Sequence, residues 1–293
     1  MIESVLDKQA LLNRSTGGQW NLYASHRQAL ERLIVPAAPG GRICVLGAGN
    51  CNDLDLPWLL DAYAQVTLVD IDGGALTRGA RFQKVENSPR LRLAGSIDLT
   101  GLADRLGAWS KKFSDAEEVD ACIHLAAQPT EKLAAELGGP FDVVLSPCVL
   151  SQLLTPLRDT IKEAHRGFSP LLAAMRARHL RSMTDLLRAG GRGVFACDLF
   201  SSKILPDLAR VPADQLPALM AKMIAGRKFF SGLDPASVAG ALKCDSSIAP
   251  LIGKIRTATP WLWHMGLSKT YLVYAVSFEV RKIAPSGMIV PRV

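Results

Sequence analysis

Gly47, Gly49 and Asp70 are the residues whose types and spacing offer the most specific chemistry in this sequence. The two glycines lie in Arg42-Ile43-Cys44-Val45-Leu46-Gly47-Ala48-Gly49-Asn50-Cys51-Asn52-Asp53, and Asp70 ends the next apolar run, Val66-Thr67-Leu68-Val69. The order reads as a buried strand, a glycine turn, a helix start, a second strand and then a carboxylate. Glycines let backbone amides approach a ligand closely, and an acid about 20 residues further on can hold both hydroxyls of a ribose. The chemistry specified is recognition of an adenosine-containing cofactor.

Which cofactor depends on the rest of the chain. Dinucleotide sites use Gly-x-Gly-x-x-Gly, but the third glycine position here is Asn52. Its side chain would stand where helix and strand should touch. Other polar residues near the turn have plainer readings. Asp53 and Asp72 stand where helix N-caps belong. Asp98, in Ile97-Asp98-Leu99-Thr100, is either a ligand group or an acceptor for its own turn. Cys148 follows an apolar run and reads as packing rather than as a nucleophile. His26 and Tyr23 belong to a helical segment that can cover the site, and His264 stands beside Trp261 and Trp263. Strand alternation puts the two tryptophans on one face, and Leu262 and His264 on the other. No histidine has a partner visible from spacing, so no catalytic base is assigned. No H-x-x-x-H or H-E-x-x-H pattern offers a metal site.

These residues need a scaffold, and 293 residues can bury a substantial core. Residues 1–35 read as helical, after which Ala37-Ala38-Pro39-Gly40-Gly41 delivers the chain into a strand at 42–46. A helix from Asp53, a strand at 66–70, a helix near 74–85 and a strand near 91–97 follow. Gly138-Gly139-Pro140 precedes a strand at 141–145, and Ala189-Gly190-Gly191 precedes one at 193–198. Helices are expected at 115–137 and within 157–188. Short apolar runs after glycine stops mark strands buried on both faces of a parallel sheet. Beyond them, 202–252 reads as helical, with Asp234-Pro235 as a cap and first helical residue. The runs 259–264 and 270–278 are too close together for a parallel crossover and should form an antiparallel hairpin.

Five parallel strands followed by such a hairpin resemble class I S-adenosylmethionine-dependent methyltransferases over roughly residues 40–280. Val45-Leu46-Gly47-Ala48-Gly49-Asn50-Cys51 is similar to that family's first motif, whose loop packs on the methionine and ribose parts of the cofactor. Val66–Asp72 resembles the second; there Asp70 would receive the ribose hydroxyls and Ile71 would lie on the adenine face. Ser96-Ile97-Asp98-Leu99 is similar to the segment after the third strand, whose acid accepts from the adenine amino group. Phe141–Leu153, with Ser146 and Pro147, resembles the fourth motif, and Ala189-Gly190-Gly191 with Asp198 the fifth. Two positions depart from the pattern. Val45 stands where an acid is usual, and Cys51 replaces the third loop glycine, so methionine-end contacts would draw on Asn50 or Asp53.

The resemblance implies a doubly wound, mostly parallel seven-stranded α/β sheet with a C-terminal antiparallel hairpin. It implies a helical cap at 1–38, a Rossmann-like domain at 39–283 with a helical insert near 202–252, and a tail at 284–293. The implied cofactor is S-adenosyl-L-methionine (product S-adenosyl-L-homocysteine), bound by Gly47, Ala48, Gly49, Asn50, Asp70, Ile71, Asp98, Leu99, Ser146 and Pro147. The implied activity is methyl transfer to a small molecule. The acceptor is expected above the strand ends near Ser146, Pro147, Cys148 and Asp198. Ser146-Pro147-Cys148-Val149 lacks the Asn/Asp-Pro-Pro-aromatic segment of enzymes that methylate base amino groups.

Other readings are transfer to RNA or protein, a nicotinamide-dependent oxidoreductase, and a non-catalytic adenosyl-binding member of the fold. The net charge is +7, and Pro156–Arg192 carries eight Lys/Arg against three acids. With no aromatics interleaved, that stretch reads as a solvated helix before it reads as a nucleic-acid face. Scattered cysteines, the lack of a basic, apolar leader and of a membrane-length apolar run point to a reducing cytoplasm.

Overall fold

The computed structural model describes residues 5–37, 39–108, 116–128, 130–161, 163, 165–265 and 269–282. The expected tail at 284–293 lies outside them. The chain opens with α1 (Val5–Thr16), a 3-10 turn at Trp20–Tyr23 and α2 (Ala24–Ile34), then enters β1 (Arg42–Leu46). There follow α3 (Leu56–Ala62), β2 (Gln65–Val69), α4 (Gly73–Phe82), β3 (Leu91–Ala94), α5 (Ala103–Ala108), α6 (Ala116–Ala127), α7 (Glu131–Leu137) and β4 (Phe141–Pro147). Next come α8 (Val149–Thr160), α9 (Phe168–Asp185), β5 (Leu187–Ser201), α10 (Leu216–Ala225), α11 (Pro235–Cys244), β6 (Ile252–Thr257), β7 (Trp261–Met265) and β8 (Lys269–Val280).

The strands form one sheet in the order β3-β2-β1-β4-β5-β8-β6, with β7 also paired to β8. β1 to β5 are mutually parallel, and β6, β7 and β8 pair antiparallel. The fold is thus the expected doubly wound, mostly parallel α/β sheet, with eight strands rather than seven. The extra strand is β6, in a stretch whose charged residues Lys254 and Arg256 hide the pattern of a sheet edge. The hairpin of β7 and β8 forms as expected, with Trp263 opposite Tyr271.

Both faces of the sheet are covered, which is why its central strands read as continuous apolar runs. Ile43, Val45, Val66, Leu68, Val143 and Leu145 point to a core shared with α2, α3 and α4. Cys44, Leu46, Val69, Phe141, Val144 and Phe195 point to the opposite core, shared with α6, α8 and α9. Alternation along each strand divides the residues between these two cores.

Several expected boundaries move for local reasons. The helix expected from Asp53 starts at Leu56, because Asp55 is its cap and accepts from the Trp58 amide at 3.0 Å. Asp72 caps α4 and Asp234 caps α11, as their spacing predicted. The single long helix expected within 157–188 is two helices, α8 and α9, broken between Thr160 and Phe168. The α9 and β5 arginines make bonds within the chain that neither reading of the basic stretch anticipated. Arg178 and Arg181 donate to the last carbonyls of α6 and its turn, at Leu125, Ala126 and Gln128. Arg181 also pairs with Asp245 at 2.8 Å, Arg188 pairs with Asp142 at 2.5 Å, and Arg176 and Arg192 donate to the Gly232 and Val35 carbonyls. Those cations clamp helix ends and loops together. No helix among the described residues is long and apolar enough to cross a membrane.

Candidate functional site

The strand order reverses between β1 and β4, and open α/β sheets bind ligands in the crevice outside the strand ends at that point. A cleft lies there, partly covered by α1. Its floor is Gly47, Ala48, Gly49 and Asn50, with Asp70 at one side and Asp53 at another. Gln9, Leu12, Asn13 and Thr16 of α1 form the outer wall, and Tyr23, Trp263 and Met265 add an aromatic and thioether face.

The glycine turn has the shape its sequence demands. Gly47 has φ +74°, and a Cβ there would come within 2.1 Å of Val149 Cγ2. Only glycine lets β1 turn this tightly against the first residue of α8. The Gly47 and Ala48 amides both donate to the Val69 carbonyl, at 2.8 and 3.0 Å. Asp70 completes the turn: its Oδ2 accepts from the Gly49 amide at 2.8 Å and its Oδ1 from the Asp72 amide at 2.9 Å. Burial raises the Asp70 carboxyl above its usual range, and those two amide hydrogen bonds oppose the rise. Each oxygen keeps a second acceptor position, so the carboxylate can serve the turn and a ligand diol together.

α1 lies across this turn. Asn13 donates to Asp72 at 3.1 Å, and its own carbonyl accepts from Asn50 Nδ2. Asn52 donates to the Thr16 carbonyl at 2.9 Å, and Gln9 to Gln152 at 3.1 Å. The side chain at the third glycine position is thus turned out to α1.

Of the residues expected to bind cofactor, Gly47, Ala48, Gly49, Asn50 and Asp70 gather on the cleft. Ile71, Asp98, Leu99, Ser146 and Pro147 are not among its lining residues. Asp98 accepts from Thr100 and, through its other oxygen, from the Ala103 amide at the start of α5. Both oxygens thus take part in their own turn, and Oδ2, like the oxygens of Asp70, keeps a second acceptor position. Ser146 faces inward, 2.8 Å from Nε2 of the fully buried His179 on α9. Pro147 is buried as the last residue of β4.

Asp53 and His26, which the sequence offered separately, come together beside the cleft. Asp53 is not a cap; it stands in the turn before α3 and faces the cleft. Burial, with the Asp198 carboxylate adding, pushes its carboxyl up to about 7 against the pull of Arg27. Behind it, the fully buried His26 places Nε2 3.6 Å from Asp53 Oδ1. Trp261 donates its indole N–H to His26 Nδ1 at 3.0 Å, and Trp263 stacks on the same imidazole with centroids 4.6 Å apart. Burial, with Arg27 nearby, lowers His26 to about 3, so the ring is neutral. Alternation in 261–264 did predict which face these tryptophans share. Nothing in the sequence said that α2 would supply what they cover. His264 stays in its hairpin, 3.1 Å from Thr270 Oγ1.

Cys148 sits between β4 and α8 with φ +53° and is 1% exposed. Burial and the Asp198 carboxylate push its thiol well above the usual range, which rules it out as a ready nucleophile. Among the described residues, no group of three His, Cys, Asp or Glu could hold a metal ion.

The site also fits the cofactor its sequence implied. The Gly47 turn is a cradle that a Cβ would fill, and Asp70 beside it keeps acceptor positions for a diol.

No protein-family model and no curated protein matches this sequence. Solved structures do overlap it. One is a Methanococcus maripaludis protein described as an S-adenosyl-L-methionine-dependent methyltransferase, at 9% identity over 97% of this chain and 95% of that one, TM-score 0.44. Another is magnesium protoporphyrin IX methyltransferase from Synechocystis PCC 6803 with bound S-adenosylhomocysteine, at 12% identity over 90% and 84%, TM-score 0.42. A third is an rRNA methylase from Streptococcus thermophilus, at 12% identity over 85% and 90%, TM-score 0.38. At such values the similarity transfers no residue's role, and the chemistry rests on the cleft itself.

Proposed function

We propose that this protein is an S-adenosyl-L-methionine-dependent methyltransferase acting on a small molecule. The observation that carries the reading is the convergence of the Gly47–Asn50 turn, Asp70 and an aromatic face on one cleft at the strand-order reversal. In this reading Asp70 takes the ribose hydroxyls and the glycine turn carries the chain beneath the thioether. The cofactor supplies an electrophilic methyl group for in-line displacement. The chain's own task is then to align an acceptor and exclude water. Tyr23 and Trp263, with ring centroids 5.2 Å apart, line the cleft and form the wall against which an acceptor would lie, with Tyr271 stacked on Trp263 at 5.3 Å.

A small acceptor is favoured over RNA because the α9 and β5 arginines bond to carbonyls and carboxylates of the chain itself. Residues 1–38 act as a lid in this reading: α1 covers the cleft, so ligand entry requires Gln9 and Asn13 to give way. Six free thiols, five of them buried, are consistent with the reducing cytoplasm as its location.

Calorimetric titration with S-adenosylhomocysteine and with NAD tests the assignment. Micromolar binding of S-adenosylhomocysteine and none of NAD is the expected result. Binding of NAD alone would overturn the proposal and restore the oxidoreductase alternative.

A further inference from the structure

The aromatic wall of the cleft ends in a cation. Trp263 stacks on Tyr271, and the half-buried Lys269 ammonium lies over the Tyr271 ring, 4.9 Å from its centroid. Residues opposite one another in an antiparallel ladder share a face of the sheet. Tyr271 stands opposite Trp263 and Lys269 opposite Met265, and both of those partners line the cleft. Lys269 therefore borders the cleft at its hairpin end. A second lysine is brought beside it. The Ser202 amide donates to the Thr270 carbonyl at 2.8 Å, and the Thr270 amide donates to Ser202 Oγ at 3.2 Å. This exchange ties the chain just after β5 to the start of β8, and so sets Lys203 near Lys269. Burial and the Lys203 charge lower Lys269 from its usual value, against the pull of Asp198 on β5. Neither lysine is ion-paired with an acid among the described residues. The tyrosine face is a weaker partner for an ammonium than a carboxylate is.

Two like charges held together, one of them half-buried and neither in contact with an acid, form a receptor for an anion. An ammonium is a compact charge with three donors, and it suits carboxylate and phosphate oxygens alike. We propose that Lys269 and Lys203 bind a carboxylate or phosphate group of the methyl acceptor, whose apolar body lies on Tyr23 and Trp263. This rests on the methyltransferase reading above and names the acceptor's class, a small organic anion. The sheet keeps the two ligands apart. Gly47–Asn50 and Asp70 follow β1 and β2, whereas the lysines follow β5 and begin β8, on the other side of β4.

The experiment saturates the protein with S-adenosylhomocysteine and then titrates 4-hydroxybenzoate, phenyl phosphate, the neutral 4-hydroxybenzamide and inorganic phosphate. At least one of the two ring-bearing anions should bind ~10-fold or more tightly than the amide, the range of a charge-assisted contact. Lys269→Met keeps an unbranched side chain over Tyr271 and should abolish that preference. Lys269→Arg should keep it, and Lys203→Met should reduce it. All three variants should bind S-adenosylhomocysteine as wild type does. Equal binding of the anions and the amide overturns the assignment, as does no binding of any probe. Weaker S-adenosylhomocysteine binding by Lys269→Met would make the lysine a cofactor contact, which also overturns it. Inorganic phosphate bound as tightly as phenyl phosphate would assign the lysines to a free anion instead of the acceptor, with the same consequence. Each of those failures leaves the methyltransferase reading standing. A wild-type protein that does not bind S-adenosylhomocysteine removes that reading, and this assignment with it.

Discussion

Asn13 on the first helix donates to Asp72, the cap of α4, across 3.1 Å and 59 residues of sequence. The contact fastens α1 over the glycine turn, and Asn13 Oδ1 lies 3.2 Å from where a Gly49 Cβ would stand. Asn13→Ala should therefore loosen the covering helix more than the core. Hydrogen exchange of residues 5–16 should accelerate, while melting temperature falls by only a few degrees, as expected for about 1 kcal/mol. S-adenosylhomocysteine should also associate faster by stopped flow. An unchanged association rate alongside faster exchange would show that α1 does not gate the cleft.

Asp70→Ala removes the acceptor of both the Gly49 and Asp72 amides, together with the proposed ribose anchor. Affinity for S-adenosylhomocysteine should drop by at least roughly 30-fold, on the order of 2 kcal/mol. Calorimetry on protein shown to be folded by circular dichroism is the check, and wild-type affinity in the variant would discard the ribose role.

Gly47→Ala places a methyl group 2.1 Å from Val149 Cγ2 at a residue with φ +74°. Backbone strain and overpacking together should cost about 3 kcal/mol in urea unfolding. Val149→Ala removes the Cγ2 contact but leaves its own Cβ 2.7 Å from the new methyl group, so it relieves part of the clash and none of the strain. The double variant should be more stable than the summed single effects predict, by about 1 kcal/mol or more. Strict additivity would mean that the turn relaxes away from α8.

Acid should destabilise the protein through its buried histidines. Burial lowers His179 from 6.5 to about 4 and His26 to about 3, so the unfolded chain binds protons that the folded one refuses. Their contribution is complete above pH 6.5 and is lost as pH falls through those lower values. Asp53 runs the other way. Held at about 7 against 3.8, it favours the folded state at low pH and withdraws that support as pH rises from about 4 to 7. Asp70 and Glu31 are raised as well, whereas Asp72, Asp142 and Asp245 are lowered and lose their support on acidification together with the two histidines, which leaves a net loss. Urea midpoints should fall from pH 7 to pH 4.5, and His179→Gln should flatten that slope by on the order of 2 kcal/mol. An unaltered slope would mean that the Ser146–His179 pair takes up a proton without cost.

The parallel sheet was legible in the sequence because strands buried on both sides are mostly apolar at their centres, as in Ile43–Leu46, Val66–Val69 and Val143–Leu145. The glycine turn and Asp70 were legible because their chemistry is local. What stayed hidden depends on tertiary placement. Asp53 resembles a cap until Asp55 is seen to hold that position. His26 has no partner until a hairpin 235 residues away brings Trp261 to it. The arginines of α9 read as a solvated face because carbonyl acceptors on α6 leave no trace in composition. Ser146 and Asp98 match motif positions but do not line the cleft; Ser146 bonds to His179 and Asp98 to its own turn, contacts that depend on tertiary placement.

β8 pairs with β5 on one side and with β6 and β7 on the other, although it is made after all of them. During translation, a nascent chain short of residue 261 has a glycine turn and Asp70 but no Trp261 to orient His26 and no Trp263 against Tyr23. Its β5 edge also stays open, an invitation to pair with other chains. Ligand-binding competence therefore arrives late in synthesis, when the last strand slots in and the half-built protein stops being an aggregation hazard.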